Sequence, residues 1–211
     1  MPPAQPRVSR PNADHRRIRA ELQADADAEG NLDGTIHFVD GSVVRAHPHA
    51  AGAKRGRTKS WVAVVAVAPR RSPRAEGRGR PSTFCLTGGE RQEQTALPTL
   101  LESGAVKRRG RERVAGDTGS SSRTVRRFLR RRGIGAVIPR RANEPRQRTF
   151  DRKAYREHNR IERLRGRLKH NRAIAARSDT LTVSSHAMLT FACILIWWWV
   201  CRHNLEEMEQ R

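Results

Sequence analysis

Residues 155–169 read YREHNRIERLRGRLK, and the predicted fold rests on the pattern in this stretch. At about 100° per residue, the side chains of a helix here separate onto three sides. The apolar side, which would face a core, consists of Ile161, Leu164 and Leu168. The second side is a basic ridge of arginines: Arg156, Arg160, Arg163 and Arg167. The third side is polar: Tyr155, His158, Glu162 and Lys169. The pattern predicts one helix that presents a single carboxylate beside a row of cations.

The lone acid of this helix suits two kinds of surface. Glu162 beside arginines is how a helix would offer a carboxylate to a metal ion held next to a phosphate backbone. The same pattern is also typical of an exposed helix whose charges are only solvated. Gly166 lies inside the predicted helix and should cost about 1 kcal/mol relative to alanine. Periodicity alone leaves both interpretations open.

The charge of the chain points to a polyanionic partner. Its 211 residues contain 43 Lys and Arg against 21 Asp and Glu, which gives a formal net charge of +22. Such an excess favours nucleic acid as the partner. The length suits one domain with a hydrophobic core. The three cysteines show no metal-ligand spacing and cannot all pair, which favours a reducing cytoplasm, and the polar, Pro-rich start predicts no signal peptide.

Two further acids each follow a short apolar run. Residues 35–39, TIHFV, are strand-like and lead directly to Asp40. Residues 114–116, VAG, lead to Asp117, which is followed by a turn of small residues and a cationic helix over 124–132. Taken alone, Asp40 is equally well explained as a turn residue, and Asp117 as a turn or N-cap residue.

These three segments together resemble the DDE transposases of bacterial insertion sequences, in the insertion-sequence-5-like group. The segments around Asp40 and Asp117 are similar to those that carry the family's first and second acids, although the family commonly has a basic residue at Thr118 and a tyrosine at Ser120. Four residues match the spacing of the family's C-terminal signature, with a histidine in place of an arginine: Tyr155, His158, Glu162 and Lys169.

The resemblance implies an α/β fold, a mixed RNase H-like sheet flanked by helices, and it implies that the helical DNA-binding region that precedes this sheet in the family is missing. It also implies that Asp40, Asp117 and Glu162 are catalytic and hold two Mg²⁺ ions, or Mn²⁺, about 4 Å apart. One ion would activate water or a 3′-hydroxyl, and the other would stabilise the leaving 3′-oxygen. Cutting and joining of DNA would then share one site.

The resemblance further implies which molecules the chain meets. Its partners would be the transposon ends and the target DNA, held in a synaptic complex that a homo-oligomer forms, and its location would be the bacterial cytoplasm at the nucleoid. Phosphate contacts are expected from six residues around the third acid: Tyr155, Arg156, His158, Arg163, Arg167 and Lys169.

The resemblance is interrupted at residues 59–73. Residues 61–68, WVAVVAVA, are apolar and β-prone where the family carries a basic, Gly-rich segment, and similarity resumes at Arg74. With a suitable choice of codons, a shifted reading frame across the segment encodes such a basic sequence. We therefore predict a frameshift that leaves the enzyme damaged. The alternative is a genuine apolar strand.

The run 187–201 is apolar apart from Thr190 and contains three adjacent tryptophans. A membrane span needs about twenty residues, so the run is short, although Trp197, Trp198 and Trp199 would suit an interfacial anchor. In the family the matching segment packs as a terminal core helix. We therefore expect a core helix and no membrane partner.

The predicted organisation is a disordered tail over 1–14, a catalytic domain over 15–203 that includes the aberrant segment 59–73, and a second tail over 204–211. A rival from another functional class is a non-enzymatic, basic DNA-binding remnant of a transposase. A small membrane-associated protein is a third interpretation, and it rests only on the tryptophans.

Overall fold

The computed structural model describes residues 11–43, 70–87, 96–102, 112–144, 147, 149–170, 174 and 182–209. The apolar strand expected at residues 61–68 therefore lies outside the described residues. Six strands form one sheet: β1 (Ile36–Val39), β2 (Ser42–Val43), β3 (Arg70–Ala75), β4 (Pro81–Thr87), β5 (Arg113–Ala115) and β6 (Gly135–Val137). Six α-helices are described: α1 (Pro11–Ala28), α2 (Leu97–Glu102), α3 (Arg123–Arg131), α4 (Arg152–Arg156), α5 (Asn159–His170) and α6 (Thr182–Glu209).

The sheet is mixed, with β1 at its centre. On one side β1 pairs antiparallel with β3, and β3 pairs antiparallel with β4. On the other side β1 runs parallel to β5, and β5 runs parallel to β6. The strand order is therefore β4–β3–β1–β5–β6, and β2 pairs antiparallel with β3 on the same side as β1. Helix α3 lies between β5 and β6 along the chain, whereas β2, β3, β4 and α2 lie between β1 and β5. This is the mixed α/β sheet flanked by helices that the sequence predicted.

The edge of β1 carries an interruption where the first acid lies. Val39 pairs with Arg74 of β3, and Ser42 of β2 pairs with Arg71 in the same continuous register. Between them the amide of Asp40 donates to the carbonyl of Pro73 at 3.5 Å. Proline has no amide hydrogen to return that bond, so the ladder between β1 and β2 breaks at Asp40.

Alternate residues of the central strands fill two separate cores. Phe38 and Ala115 pack with the α5 residues Ile161 and Leu164 on one face of the sheet. The opposite face packs β-strand and helix residues that include Val39, Val114, Leu100 of α2 and Leu129 of α3. Side chains along a strand alternate between faces, so each residue's core follows from its place in the strand. The sheet therefore lies between two layers of helices.

The segment 155–169 forms two helices where the sequence predicted one. Helix α4 begins at its N-cap Asp151, whose Oδ1 accepts from the amide of Ala154 at 2.8 Å, and it ends at Arg156. The amide of His158 then donates to the carbonyl of Tyr155 at 2.9 Å, an i→i−3 bond that tightens the turn before α5. The prediction that Tyr155, His158 and Glu162 share one side of a continuous helix is therefore wrong. The predicted apolar side is confirmed, because Ile161, Leu164 and Leu168 are buried.

The two longest helices, α1 and α6, pack against each other. Helix α1 begins at Pro11, so residues 11–14, which the sequence assigned to a disordered tail, are helical, and proline is well tolerated in a first helical turn. Helix α6 continues to Glu209, so residues 204–209 of the expected second tail are also helical. Gly30 follows α1 with φ of +72°, the left-handed conformation in which glycine commonly ends a helix.

One side of α6 belongs to the core and the other is exposed. Trp197 is fully buried and its Nε1 donates to the carbonyl of Pro81 at 2.7 Å, which places the apolar run as a core helix on this side. Four large apolar side chains remain exposed: Phe191, Leu195, Trp198 and Trp199. Within the described residues, the segment Ser185–His203 is long and apolar enough to cross a membrane by length and composition, and a third of its most apolar window is buried.

Candidate active site

The first two acids lie at the ends of neighbouring strands. In the parallel pair of β1 and β5, Phe38 is aligned with Ala115. Asp40 and Asp117 each lie two residues further along, so they occupy equivalent positions, and adjacent strands are about 4.8 Å apart. Because Phe38 and Ala115 face α5, the alternation of side chains directs both acids toward the same face of the sheet. That face is the one covered by the helix that carries Glu162.

The side chain of Asp40 is almost fully enclosed, with 6% of its surface exposed. Its Oδ1 accepts a hydrogen bond from the amide of Gly41 at 2.7 Å. Its Oδ2 accepts from Nη1 of Arg165, which reaches across from α5. A carboxylate removed from water needs such partners, because an unpaired buried charge is strongly destabilising.

The third acid, Glu162, shares the same guanidinium. Both of its carboxylate oxygens lie 3.0 Å from Nη1 of Arg165, one helical turn further along α5. The Glu162 side chain is 54% exposed, so it borders solvent while Asp40 lies beneath it. One nitrogen of Arg165 thus bridges Asp40 and Glu162 and brings the carboxylates of β1 and α5 together.

Asp117 lies nearby but has a capping role in this structure. Its Oδ1 accepts from the amide of Ser120 at 3.0 Å and lies 3.3 Å from the Ser120 hydroxyl, at the start of a short 3₁₀ helix (Thr118–Ser120). Arg141 holds the same turn by donating to the carbonyls of Thr118 and Gly119 at 2.9 and 2.7 Å. The alternative that Asp117 is an N-cap residue is therefore realised, and its Oδ2 is not used by that cap.

His158 occupies the space between the three acids and the aromatic core. Its ring stacks on Tyr155, with centroids 5.7 Å apart and planes 7° apart, and it lies 6.4 Å from the ring of Phe38. Burial lowers the pKa of His158, although Asp40, Glu162 and Asp117 act to raise it, and Arg165 adds to the lowering. The net effect is a lowered pKa, so the imidazole is neutral at neutral pH. It lies within electrostatic range of all three carboxylates.

The predicted basic ridge is only partly formed. Arg156, Arg163, Arg167 and Lys169 are exposed on α4 and α5, as phosphate contacts require. Arg160 instead turns to the β3–β4 hairpin, where its Nη1 donates to the carbonyl of Gly77 and its Nη2 pairs with Glu157 at 2.6 Å. The assignment of Arg160 to the ridge is wrong, because that side chain anchors α5 to the hairpin.

Arg165 is the site residue that the sequence analysis missed. On the helical wheel it lies off the arginine ridge, three residues after Glu162, and the i,i+3 spacing is the signal that would have paired the two. Its contact with Asp40, by contrast, joins residues 125 positions apart and has no local signature.

The carboxylates offer hard oxygen ligands, the type that Mg²⁺ and Mn²⁺ prefer. Asp40 and Glu162 already converge on one cationic nitrogen, so the donor set fits a divalent ion at that position. Among the described residues, no group of three or more Asp, Glu, His or Cys side chains is close enough to hold a metal ion. Asp117 is held at its cap and Arg165 stands between the other two acids.

Comparison with known proteins places part of the chain in a family model. The model described as a transposase DDE domain matches residues 114–198, which include Asp117 and Glu162 but less than half of the chain. No curated protein matches the sequence.

Among solved structures, the piggyBac transposase in a synaptic complex with hairpin DNA is similar, with a TM-score of 0.51 at 9% identity. The match covers 95% of this chain and 55% of that one, so the chain spans about half the length of that relative. The strand order and this similarity show that the fold is RNase H-like, as predicted.

Two further structures match with lower scores. The catalytic core domain of BIV integrase has a TM-score of 0.42 at 13% identity, and the match covers 76% of this chain and 82% of that one. The catalytic domain of Mos1 mariner transposase has a TM-score of 0.36 at 12% identity, covering 79% and 95%.

Proposed function

We propose that this chain is the catalytic domain of a DDE transposase that cuts and joins DNA by metal-assisted phosphoryl transfer. The observation that carries the proposal is the convergence of Asp40 and Glu162 on one cationic position, beside Asp117 at the equivalent end of the next strand. The family match over residues 114–198 supports it, since that region carries two of the three acids.

In the proposed mechanism, Asp40, Asp117 and Glu162 would hold the divalent ions. When bound, Mg²⁺ or Mn²⁺ would lower the pKa of the attacking water or 3′-hydroxyl and stabilise the charge on the leaving 3′-oxygen. Asp40 is held in place through Oδ1 by the Gly41 amide, which leaves Oδ2 directed at the shared position. Glu162, half-exposed on α5, lies on the solvent side of this position.

The cationic side chains around this position would bind the DNA backbone. Four of them are exposed on α4 and α5, and contacts from such side chains to phosphate oxygens would position the DNA without reading its bases: Arg156, Arg163, Arg167 and Lys169. Tyr155 and His158, from which phosphate contacts are also expected, stack on each other, and that stacking would support the acids from the core side. The partners that follow are transposon ends and target DNA, met by a homo-oligomer in the bacterial cytoplasm at the nucleoid.

The test is metal-dependent nicking of duplex DNA that carries the ends of the encoding element. The chain with residues 59–73 restored to a basic, Gly-rich segment should nick it with Mn²⁺ or Mg²⁺, whereas the parent chain should transfer no strands. In the restored chain, Glu162→Gln should lose nicking at unchanged DNA affinity. Glu157→Gln is the matched control, because Glu157 is exposed, precedes the same helix and pairs with Arg160 away from the acids. Nicking that survives Glu162→Gln would refute the assignment.

The second candidate is a DNA-binding remnant without catalysis, and Asp117 favours it, because its Oδ1 is used for capping rather than presented beside Asp40 and Glu162. Salt-sensitive DNA binding by the chain with the restored segment, together with no nicking under any divalent ion, would select the remnant.

We further infer that the chain is of the insertion-sequence-5-like group and that residues 59–73 are translated out of frame. Residues 70–73, the part of that segment that the structure describes, lie in β3. Pro73 lies opposite Asp40, and β3 is paired on both sides, with β1 and with β4. Proline is poorly suited to such a strand, which supports a segment that was not selected for this sheet. The coding DNA tests the inference: the alternate frame across these codons should encode a basic, Gly-rich segment, and any other product contradicts it.

A further inference from the structure

We propose that Arg165 is a built-in counterion that occupies the divalent-cation position between Asp40 and Glu162 and must leave before an ion can bind there. The inference rests on the proposed function, and it assigns that site a resting state in which the protein's own cation takes the place of the metal.

The contacts of Arg165 define the position. A single nitrogen, Nη1, bonds to Oδ2 of Asp40 and to both oxygens of Glu162. These oxygens come from different elements, β1 and α5, so the guanidinium joins the sheet to the helix as a shared metal ion would. The remaining oxygen of Asp40, Oδ1, is used by the Gly41 amide. An ion that binds both Asp40 and Glu162 would therefore compete for the oxygens that Arg165 now holds.

Arg165 and a divalent ion would compete for the same carboxylate oxygens. The two cations cannot share the position, because like charges at contact distance repel strongly in a partly enclosed site. The Arg165 side chain is 21% exposed, so part of it already borders solvent.

Electrostatics explain why the resting arrangement is stable. Asp40 is 6% exposed, and without a partner its buried charge would be costly. Arg165 supplies that partner and also draws in Glu162, which borders solvent. Binding of a divalent ion is then an exchange of one cation for another, and its affinity is reduced by the free energy that holds Arg165.

The first experiment compares Mn²⁺ binding by the full chain and its variants, measured by electron paramagnetic resonance of free Mn²⁺. Arg165→Gln should bind Mn²⁺ roughly tenfold or more tightly than the parent chain, because a competing charge has been removed from direct contact with the ligands. Arg163→Gln is the matched control. This variant removes the same charge from the same helix. Nη2 of Arg163 donates to Oδ1 of Asn159 at 3.4 Å rather than to either acid.

Outcomes for the inference and for the proposed function are distinct. Equal Mn²⁺ affinity in Arg165→Gln and Arg163→Gln overturns the inference and leaves the proposed function standing. Absence of Mn²⁺ binding in all of these proteins overturns both. Adding Glu162→Gln to Arg165→Gln should cancel the gain in affinity, because the gain depends on that carboxylate.

A second measurement uses the parent chain, so it stands even if Arg165→Gln does not fold. Phenylglyoxal labels accessible arginines, and mass spectrometry reports the extent at each residue. Saturation with Mn²⁺ should increase the labelling of Arg165 several-fold and leave Arg163 unchanged. Labelling of Arg165 that is constant across the Mn²⁺ titration would show that the ion binds without displacing it.

Discussion

At the scale of single residues, Gly79 offers a sharp test of how the β3–β4 hairpin meets α5. Its φ of +82° is one that L side chains rarely adopt, and a Cβ placed there would lie 2.9 Å from Cβ of Arg160. Arg160 cannot retreat easily, since its own backbone lies in α5 and its guanidinium is bonded to Gly77. The approach of hairpin and helix therefore depends on the missing side chain.

We expect Gly79→Ala to lower the free energy of unfolding by about 2–5 kcal/mol. About 1–2 kcal/mol comes from the left-handed backbone and a further 1–3 kcal/mol from the steric overlap. Gly30→Ala is the control, because Gly30 has φ of +72° and open space around its Cβ position, so only the backbone cost applies. Urea unfolding measures the loss of unfolding free energy in each variant. Equal losses in Gly79→Ala and Gly30→Ala would show that the steric overlap with Arg160 adds little.

The sequence predicted which acids belong to the candidate site better than it predicted which side chains contact one another there. Asp40 and Asp117 could be picked out because each follows an apolar strand, and their adjacency follows once β1 and β5 are parallel neighbours. Arg165 could not be assigned, since its contact with Asp40 depends on how α5 lies over the sheet. Arg160 was assigned to the wrong surface for the same reason: helical periodicity gives directions around an axis, whereas the packing of the β3–β4 hairpin decides what lies there.

At the scale of secondary-structure elements, α6 contains a matched pair of tryptophans. Trp197 is fully buried, donates to Pro81 and lies under the guanidinium of Arg80, 4.9 Å from its ring centroid. Trp199 is 56% exposed on the same helix. We expect Trp197→Ala to cost about 3–5 kcal/mol of unfolding free energy, and Trp199→Ala less than about 1 kcal/mol. Denaturant unfolding measures these free energies. Similar losses of stability in the two variants would mean that α6 is not docked through Trp197.

The contact between α1 and α6 should be sensitive to mild acid through His186. Its ring packs on Phe84, 4.8 Å between centroids, and Nε2 lies 3.4 Å from Nη2 of Arg16. Burial lowers the pKa of His186 from its ordinary value of 6.5, and the charges of Arg16 and Arg19 lower it further. The unfolded chain then binds the proton more readily than the folded one, so stability is full above pH 6.5 and decreases as the pH falls below it.

The measurement is the free energy of unfolding of the parent chain and of His186→Gln at pH 7.5, 6.5 and 5.5. These pH values are about one unit apart and bracket the ordinary histidine pKa. The parent chain should lose more stability between pH 6.5 and 5.5 than the variant does. Parallel curves for the two proteins would show that His186 does not contribute to the acid sensitivity.

The elements themselves followed from the sequence except where tertiary contacts intervene. Apolar periodicity predicted α5's buried side, and apolar runs ending on acids predicted β1 and β5. The break between α4 and α5 was missed because the stacking of Tyr155 on His158 and their packing near Phe38 favour a tight turn over a continued helix. The extent of α1 and α6 was underestimated, since residues 11–14 and 204–209 were assigned to tails and are helical.

At the scale of the whole molecule, the charge of +22 should dominate DNA affinity. Neutralising phosphates releases counterions, so affinity for random duplex DNA should fall steeply as salt rises, with a slope of about 0.9 per phosphate contact on logarithmic axes. The triple change Arg156→Gln, Arg163→Gln and Arg167→Gln should weaken binding to all sequences alike and reduce that slope by about 3. Fluorescence anisotropy across a salt series measures it, and a loss confined to one sequence would contradict a backbone-binding role.

The packing of α1 against α6 has a consequence for how the polypeptide matures on the ribosome. Cys201 Sγ lies 3.7 Å from the carbonyl of Leu22, so the surface that α1 buries is supplied by a segment almost 180 residues later. At about 5–20 residues per second, α1 emerges roughly ten to forty seconds before its partner. During that interval the nascent chain exposes apolar surface on α1 and on β4. Chaperone capture and proteolysis of incomplete chains should therefore concentrate in the period before α6 is synthesised, and contacts so distant in sequence should make the final docking step slow.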